Sequence, residues 1–253
     1  METTQPKNTV LDIQNLKISF EDLHVLKDIS LQLFKEENLV ILGKSGTGKS
    51  VLIKCIVRLL KADSGIINIL GKDINNVNRQ ELEELRKKIG FLFQSGALYD
   101  SMTVKENLEF PLRRFKKDLT EDEINAKVIT ALDNVGLKDV LDKMPSQLSG
   151  GMKKRISLAR TIIIDPEIML YDEPTTGLDP VTAEEISVLI NDIQKKFKTA
   201  SMIITHDIEC VRTVADRIIM LKDGEIYKIG TLSEFENDKD DYIMSFFKTK
   251  KLN

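Results

Sequence analysis

An α/β fold with a helical insertion follows from three features of the sequence. Leu39-Val40-Ile41-Leu42 is an unbroken apolar run ending at Gly43, the pattern of a strand buried on both faces. Ile168-Met169-Leu170-Tyr171 is a second such run, and it ends in Asp172-Glu173. Between them, residues 95–166 read mostly as helix and loop, a subdomain set between α/β pieces. Hydrophobic residues fill 42% of the 253 positions and charged residues 30%, enough apolar matter to build a core and too much for a disordered chain.

The elements follow in order. Leu11, Ile13, Ile18 and Phe20 largely alternate with polar residues, as do Ile29, Leu31 and Leu33. Both stretches predict strands with one buried face, joined by a loop around 21–25. After the 39–42 strand, Val51, Leu52, Cys55, Ile56, Leu59 and Leu60 recur at helical spacing. A short strand is bracketed by Gly65 and Gly71, a helix is predicted over 81–88 and a strand over 89–93. In the inserted part, residues 113–117 (Arg-Arg-Phe-Lys-Lys) read as a basic linker. Thr120 and Glu123 form a capping-box pattern that opens a helix ending near Gly136, and another helix is predicted over 153–164.

The α/β pattern then returns with a strand over 168–171. A helix over 180–197 has Ile186, Leu189, Ile190, Ile193 and Phe197 on one face and Pro180 in its first turn. A strand over 201–205 and a helix over 207–215 come next. Residues 218–221 and 226–229 flank Asp223-Gly224, a hairpin signal. A last helix is predicted near 241–248, where Tyr242, Ile243, Phe246 and Phe247 form one apolar stripe. Acids stand at its start and Lys248, Lys250 and Lys251 at its end, as the helix dipole favours. That stripe packs either on its own core or on a partner.

Composition excludes several classes. The formal net charge is −3, whereas a protein that coats phosphate backbones is normally basic. There is no Trp and only 6% aromatic residues, a poor platform for stacking single strands. Nucleic acid is therefore not the expected partner. Cys55 and Cys210 are too few for a disulfide framework and sit in apolar helical patterns, as core thiols in a reducing compartment would. No apolar run reaches the ~18 residues that span a bilayer. The first ten residues hold no signal-peptide core. A cytosolic protein is expected, with any membrane association made through a partner.

Three clusters carry chemistry. Gly43-Lys44-Ser45-Gly46-Thr47-Gly48-Lys49-Ser50 fits G-x-x-x-x-G-K-[ST] between a buried strand and a helix. Glycines let backbone N–H groups turn toward phosphate, and the helix N-terminus adds positive dipole. Lys49 would reach the β- and γ-phosphates and the Ser50 hydroxyl would ligate Mg²⁺. Asp172 and Glu173 close the second apolar strand; in a P-loop protein the first acid holds Mg²⁺, and the second is placed to orient or deprotonate the attacking water. Ser149, Gly150 and Gly151 open a helix, either as an ordinary serine cap or as a second anion site.

Together these residues resemble the ATP-binding-cassette (ABC) ATPases. Leu148-Ser149-Gly150-Gly151-Met152 looks like the family's signature motif and lies 23 residues before Asp172, as the family requires. Gln94 matches the Q-loop, Thr176-Gly177-Leu178-Asp179 the D-loop, and His206, 33 residues after Glu173, the switch histidine. Phe20 matches the aromatic that stacks on adenine, where the family more often has Tyr; Met152 stands where many members have Gln. A finer resemblance, to the ATPases of Mla-type (MCE-associated) lipid transporters, rests on residues 94–104, Glu106-Asn107, Phe110-Pro111-Leu112 and Lys153-Lys154-Arg155.

The resemblance implies a P-loop NTPase fold, a RecA-like α/β core with an antiparallel β part and an inserted helical subdomain. It implies one ABC ATPase domain over 9–235, with its core at 9–94 and 167–235, its helical subdomain near 95–166, and a helical tail at 236–253. ATP and Mg²⁺ are the implied cofactors. In a head-to-tail homodimer, residues 43–50 with Phe20 and Val25 of one protomer would face Ser149, Gly150, Gly151 and Asp179 of the other. Glu173 would act as general base or water orienter, His206 would contact the γ-phosphate, and Ser50, Gln94 and Asp172 would serve the metal. A peripheral position on the cytoplasmic side of the inner membrane, bound to a permease, follows, with an MCE-domain protein and a small accessory subunit as further partners. Phospholipid transport is the implied activity; import of amino acids or another small solute is the alternative, and a non-transport ABC ATPase acting on nucleic acid or the ribosome a further one. Ile168 follows Ser50 by only 118 positions, which leaves no room for a long coiled coil; only one cassette is present, and no Asn-Lys-x-Asp guanine-reading motif occurs.

Overall fold

Strand β3 (Asn38–Leu42) is buried at every position, and its side chains divide by parity between two cores. The computed structural model describes residues 8–247. In it Leu39 and Ile41 join the core shared with α1 (Lys49–Ile56) and the antiparallel strands β1 (Thr9–Phe20), β2 (Leu23–Phe34) and β4 (Ser64–Ile69). Val40 and Leu42 point the other way, into the core built with the helices. An unbroken apolar run is what a strand with two covered faces needs.

The six-stranded sheet has the order β10-β9-β3-β8-β7-β6. Its parallel members are β6 (Ile89–Leu92), β7 (Ile168–Asp172), β3, β8 (Ala200–Thr205) and β9 (Arg217–Lys222); β10 (Glu225–Gly230) returns antiparallel through the Asp223-Gly224 turn. A second sheet, β2-β1-β4-β5, ends on the short β5 (Lys72–Asp73) and lies across α1. Helix α2 (Arg79–Lys87) precedes β6. Between β6 and β7 run α3 (Val104–Phe115), α4 (Glu121–Asn134), a 3₁₀ turn at Pro145–Gln147, and α5 (Gly150–Ile162). Then come α6 (Pro180–Phe197), α7 (Ile208–Val214), α8 (Leu232–Glu236) and α9 (Asp241–Phe247).

Four local expectations are corrected. The first hairpin turns at Glu21-Asp22, so β2 starts at Leu23 and Val25 lies within it rather than in a loop; Glu21 supplies the left-handed residue, at φ 52°. The helix expected over 51–60 starts at Lys49 and stops at Ile56, because Arg58 turns left-handed at φ 53°. Residues 113–115 of the expected basic linker are the last turn of α3. Arg113 is held there by Glu109 at 3.0 Å and Glu121 at 2.6 Å, at a helix end that favours cations. Helix α8, opened by a Thr231–Glu234 capping box, was not foreseen from the turn at Gly230.

The apolar stripe of α9 packs on its own chain. Ile243 and Phe247 are buried in the helical core, where Phe247 meets Phe235 at a ring separation of 6.0 Å. Tyr242 lies over the rim of the phosphate loop, with the ammonium groups of Lys44 and Lys222 5.1 and 4.4 Å from its ring centre. The basic residues Lys248, Lys250 and Lys251 lie outside the described residues, as do positions 1–7.

Candidate active site

Helices α2 to α8 each begin at a side chain that accepts a hydrogen bond from the first turn. Helix α1 does not: its cap is Gly48, at φ 94°, with no side chain to satisfy the first N–H groups. A helix start left open behind a glycine loop is a ready anion site. Gly48 has no room for anything larger, since a Cβ there would lie 2.6 Å from Leu26 Cδ2 and 3.0 Å from the Val25 carbonyl.

Val25, Ser45, Gly46, Gly48, Lys49, Ser50, Gln94, Glu173 and His206 line one cavity of about 270 Å³ beside that helix start. A larger cavity, about 630 Å³, near Phe34, Lys35 and Arg217 contains none of them; chemistry rather than size selects the site. The remaining loop residues shape its floor. Lys49 Nζ donates to the carbonyls of Gly43 (2.8 Å) and Lys44 (2.9 Å), and Thr47 Oγ1 donates to Lys44 O at 2.9 Å. Lys49 is buried, its ammonium 3.9 Å from Glu173 Oε1. Burial lowers its pKa from the usual lysine value, against the opposing pull of Glu173 and Asp172.

The acids arrive from β7. Ser50 Oγ donates to Asp172 Oδ1 at 2.9 Å, joining the phosphate loop to the strand end. Burial raises the Asp172 carboxyl above the usual range, the Ser50 hydrogen bond opposing it. The Ser50 hydroxyl and the Asp172 carboxylate are joined oxygen donors, and the Gln94 residue lines the same cavity as Ser50. Donors of this kind fit Mg²⁺, which takes one or two carboxylates and fills its octahedron with water and phosphate oxygens. Glu173 follows in a left-handed conformation, φ 49°, a strain of about 1–3 kcal/mol of the kind found at functional sites. His206 Nδ1 lies 2.8 Å from Glu173 Oε2, and Thr176 Oγ1 donates to the same oxygen at 3.2 Å. The histidine comes from the end of β8, next to β7 in the sheet.

The structure does not bring the other predicted residues to this cavity. Phe20 ends β1, 44% exposed, outside the lining. Ser149 caps α5 through Met152 N (3.2 Å), and Asp179 caps α6 through Thr182 N (3.0 Å). The starts of α5 and α6 pack together instead: a Cβ on Gly151 would lie 2.6 Å from Thr182 Cγ2, and one on Gly150 3.5 Å from Leu178 Cδ2. Within one chain, the second anion site and the phosphate loop are separate.

Two features were not found in the sequence. Thr175 Oγ1 donates to Asp207 Oδ2 at 2.8 Å, tying the loop after β7 to the start of α7. Lys154 is 6% exposed and donates to the Gln94 carbonyl at 2.6 Å. Burial brings its ammonium down to about 8, with Asp172 and Glu173 pushing back. The available signal was a lysine sharing the inward face of α5 with Ser157 and Leu158.

Known proteins are similar along most of the chain. A family described as ABC transporter matches residues 26–176. The probable ribonucleotide transport ATP-binding protein mkl of Mycobacterium leprae is 37% identical, over 98% of this chain and 71% of the relative. The intermembrane phospholipid transport system ATP-binding protein MlaF of Haemophilus influenzae is 35% identical, over 94% of this chain and 90% of its own. The dimeric ATP-binding cassette MJ0796, solved in a post-hydrolysis state with ADP and Pi, superposes with a TM-score of 0.80 at 31% identity, covering 88% of this chain and 98% of that one. The strand–loop–helix that leaves the start of α1 without a side-chain cap, together with these matches, makes the chain a member of the ABC transporter family and an ATP-hydrolysing cassette of it.

Proposed function

We propose that this cassette binds ATP with Mg²⁺ at residues 43–50 and drives a membrane transporter of phospholipid. The observation that carries the site is the joining of Ser50 to Asp172 and of His206 to Glu173 around one cavity at an uncapped helix start. Lys49, now turned onto the loop's own carbonyls, is the cation for the β- and γ-phosphates. Ser50, Asp172 and Gln94 hold the metal, which would neutralise phosphate charge. Glu173 orients or deprotonates water, and His206 contacts the γ-phosphate. Phe20 and Val25 serve the base. Catalysis is mainly positioning and charge stabilisation.

Ser149, Gly150, Gly151 and Asp179 stand apart from their own cavity, so they serve a second copy in a head-to-tail homodimer. The helices between β6 and β7 form the arm, about 95–166, that presents them; the core spans 9–94 and 167–235, and 236–253 is a tail. Beside Gln94's loop, a groove of about 300 Å³ lined by Phe91, Tyr99, Phe110, Arg114 and Arg160 is the surface we assign to the permease. No helix among the described residues is long and apolar enough to cross a membrane. A peripheral place on the cytoplasmic side of the inner membrane is thus reached through that permease, with an MCE-domain protein and a small accessory subunit as further partners.

Phospholipid is favoured because the similarity to MlaF runs nearly the whole length of both chains. A second reading, import of a small solute, is favoured by the similarity to mkl. The test is purification of the complex from membranes in mild detergent and mass spectrometry of what it holds. Bound phospholipid and ATPase stimulation by phospholipid support the first reading; stimulation only by a small solute with its binding protein overturns it.

A further inference from the structure

Helix α5 touches the loop after β6 along one stripe. Lys154 donates to the carbonyl of Gln94 at 2.6 Å. Three residues on, Ser157 packs so closely on Gly96 that a Cβ there would lie 2.6 Å from its Oγ. Three further on, Arg160 Nη1 donates to the carbonyl of Ala97 at 2.7 Å while its guanidinium lies 4.7 Å from the ring centre of Tyr99. Residues at i, i+3 and i+6 share a helix face, so this is one continuous clamp on residues 94–97. The loop needs an external hold, because Gly96 and Ala97 are both left-handed, at φ 80° and 51°, and belong to no helix or strand.

Lys154 is the unusual member. It lies inside the protein with one hydrogen bond and no carboxylate within ion-pair distance among the described residues. A methionine would fill the same space without the cost of desolvating a charge, so packing does not account for a lysine here. What the ammonium supplies is a directed, charge-assisted grip on one backbone carbonyl, and that carbonyl belongs to Gln94, whose residue lines the nucleotide cavity. Five residues back along the same helix stands Ser149, the cap of α5.

We propose that Lys154 is a positioning residue for hydrolysis: by locking the Gln94 carbonyl to α5, it makes Gln94 in one cavity and Ser149, aimed at the other, move as one body. This rests on the reading of residues 43–50, Glu173 and Ser149 given above. Without the grip the loop still folds and ATP still binds, but Gln94 is not held at its catalytic position. A misplacement of about 1 Å costs on the order of 10²-fold in rate.

The test is steady-state ATPase kinetics and thermal melting of the full chain carrying Lys154→Met, Lys154→Arg, Gln94→Ala or Glu173→Gln. Lys154→Met should lower kcat by about 10–100-fold, leave KM for ATP within about threefold, and melt no lower than the parent, since a buried charge has been removed. Lys154→Arg, which keeps a charged donor, should recover kcat to within about threefold of the parent. Parent-like kcat in Lys154→Met beside a slow Gln94→Ala overturns the clamp and leaves the site reading standing. Parent-like rates in both Gln94→Ala and Glu173→Gln overturn the site reading and this proposal with it. If Lys154→Met does not fold, Lys154→Arg decides: a large loss of kcat at unchanged melting temperature overturns the proposal.

Discussion

His206 Nδ1 lies 2.8 Å from Glu173 Oε2, although the two residues leave different strands and are 33 positions apart. The contact joins the end of β8 to the acid that follows β7. The second oxygen, Oε1, lies 3.9 Å from the Lys49 ammonium. His206 and Thr176, the latter at 3.2 Å, both meet the same Glu173 oxygen, Oε2, and the residue sits in a left-handed backbone conformation at φ 49°.

Glu173→Gln keeps the size and the hydrogen bond from Thr176 but loses the basic oxygen. ATP hydrolysis should fall by at least ~10²-fold, the scale of general-base removal, while ATP binding persists and an ATP-stabilised dimer accumulates. Turnover together with size-exclusion chromatography in ATP measures both; hydrolysis at the parent rate would remove Glu173 from the mechanism.

Ser149→Arg fills the space at the α5 cap yet touches none of the lining of its own cavity. Nucleotide binding by the monomer should stay within about threefold of the parent, the small effect expected for a change away from the site, and hydrolysis should vanish. Mixing this variant with Lys49→Ala should restore activity well above either alone, because both defects fall on one composite site and leave the other intact. Absence of recovery over a range of mixing ratios would count against complementary half-sites.

Asp172 gives a stability prediction with a definite sign. Its folded pKa is raised, so its contribution to stability is fully present below the ordinary carboxylate value of about 3.9 and is lost as pH rises through the raised value. At neutral pH the nucleotide-free protein carries that cost. Asp172→Asn should therefore melt higher at pH 7.5, by about 2–4 °C for each ~1 kcal/mol relieved in a chain of this length, and be inactive. The gap should close as pH falls toward 4; a gap that stays constant with pH would rule out this origin.

The seat of α9 predicts what trimming it does. Ile243 is 2% exposed and belongs to the helical core, so Ile243→Ala should cost about 2–4 kcal/mol. Deleting residues 241–253 should lower the melting temperature of the monomer, because Phe235 loses its cover from Phe247. Differential scanning calorimetry of both variants at low protein concentration isolates the monomer term. A truncation that melts like the parent would contradict the packing.

Much of this protein is a local matter, and local matters can be read from sequence. An unbroken apolar run is enough to identify β3 and β7 as doubly covered strands, because every position there must leave water. The helix Pro180–Phe197 is legible because its apolar stripe and its N1 proline agree. The phosphate loop is legible because its chemistry sits in eight consecutive residues between a strand and a helix. Tertiary structure alone decided the pairing of Glu173 with His206 and of Lys154 with the Gln94 carbonyl, 60 residues away. It also decided that Arg113 ends a helix rather than starting a linker, because the Glu121 that holds it comes from the next helix. Likewise the stripe on α9 faces its own core. Periodicity says that an apolar face must be covered; it does not name the cover, since that depends on which distant elements the fold brings alongside.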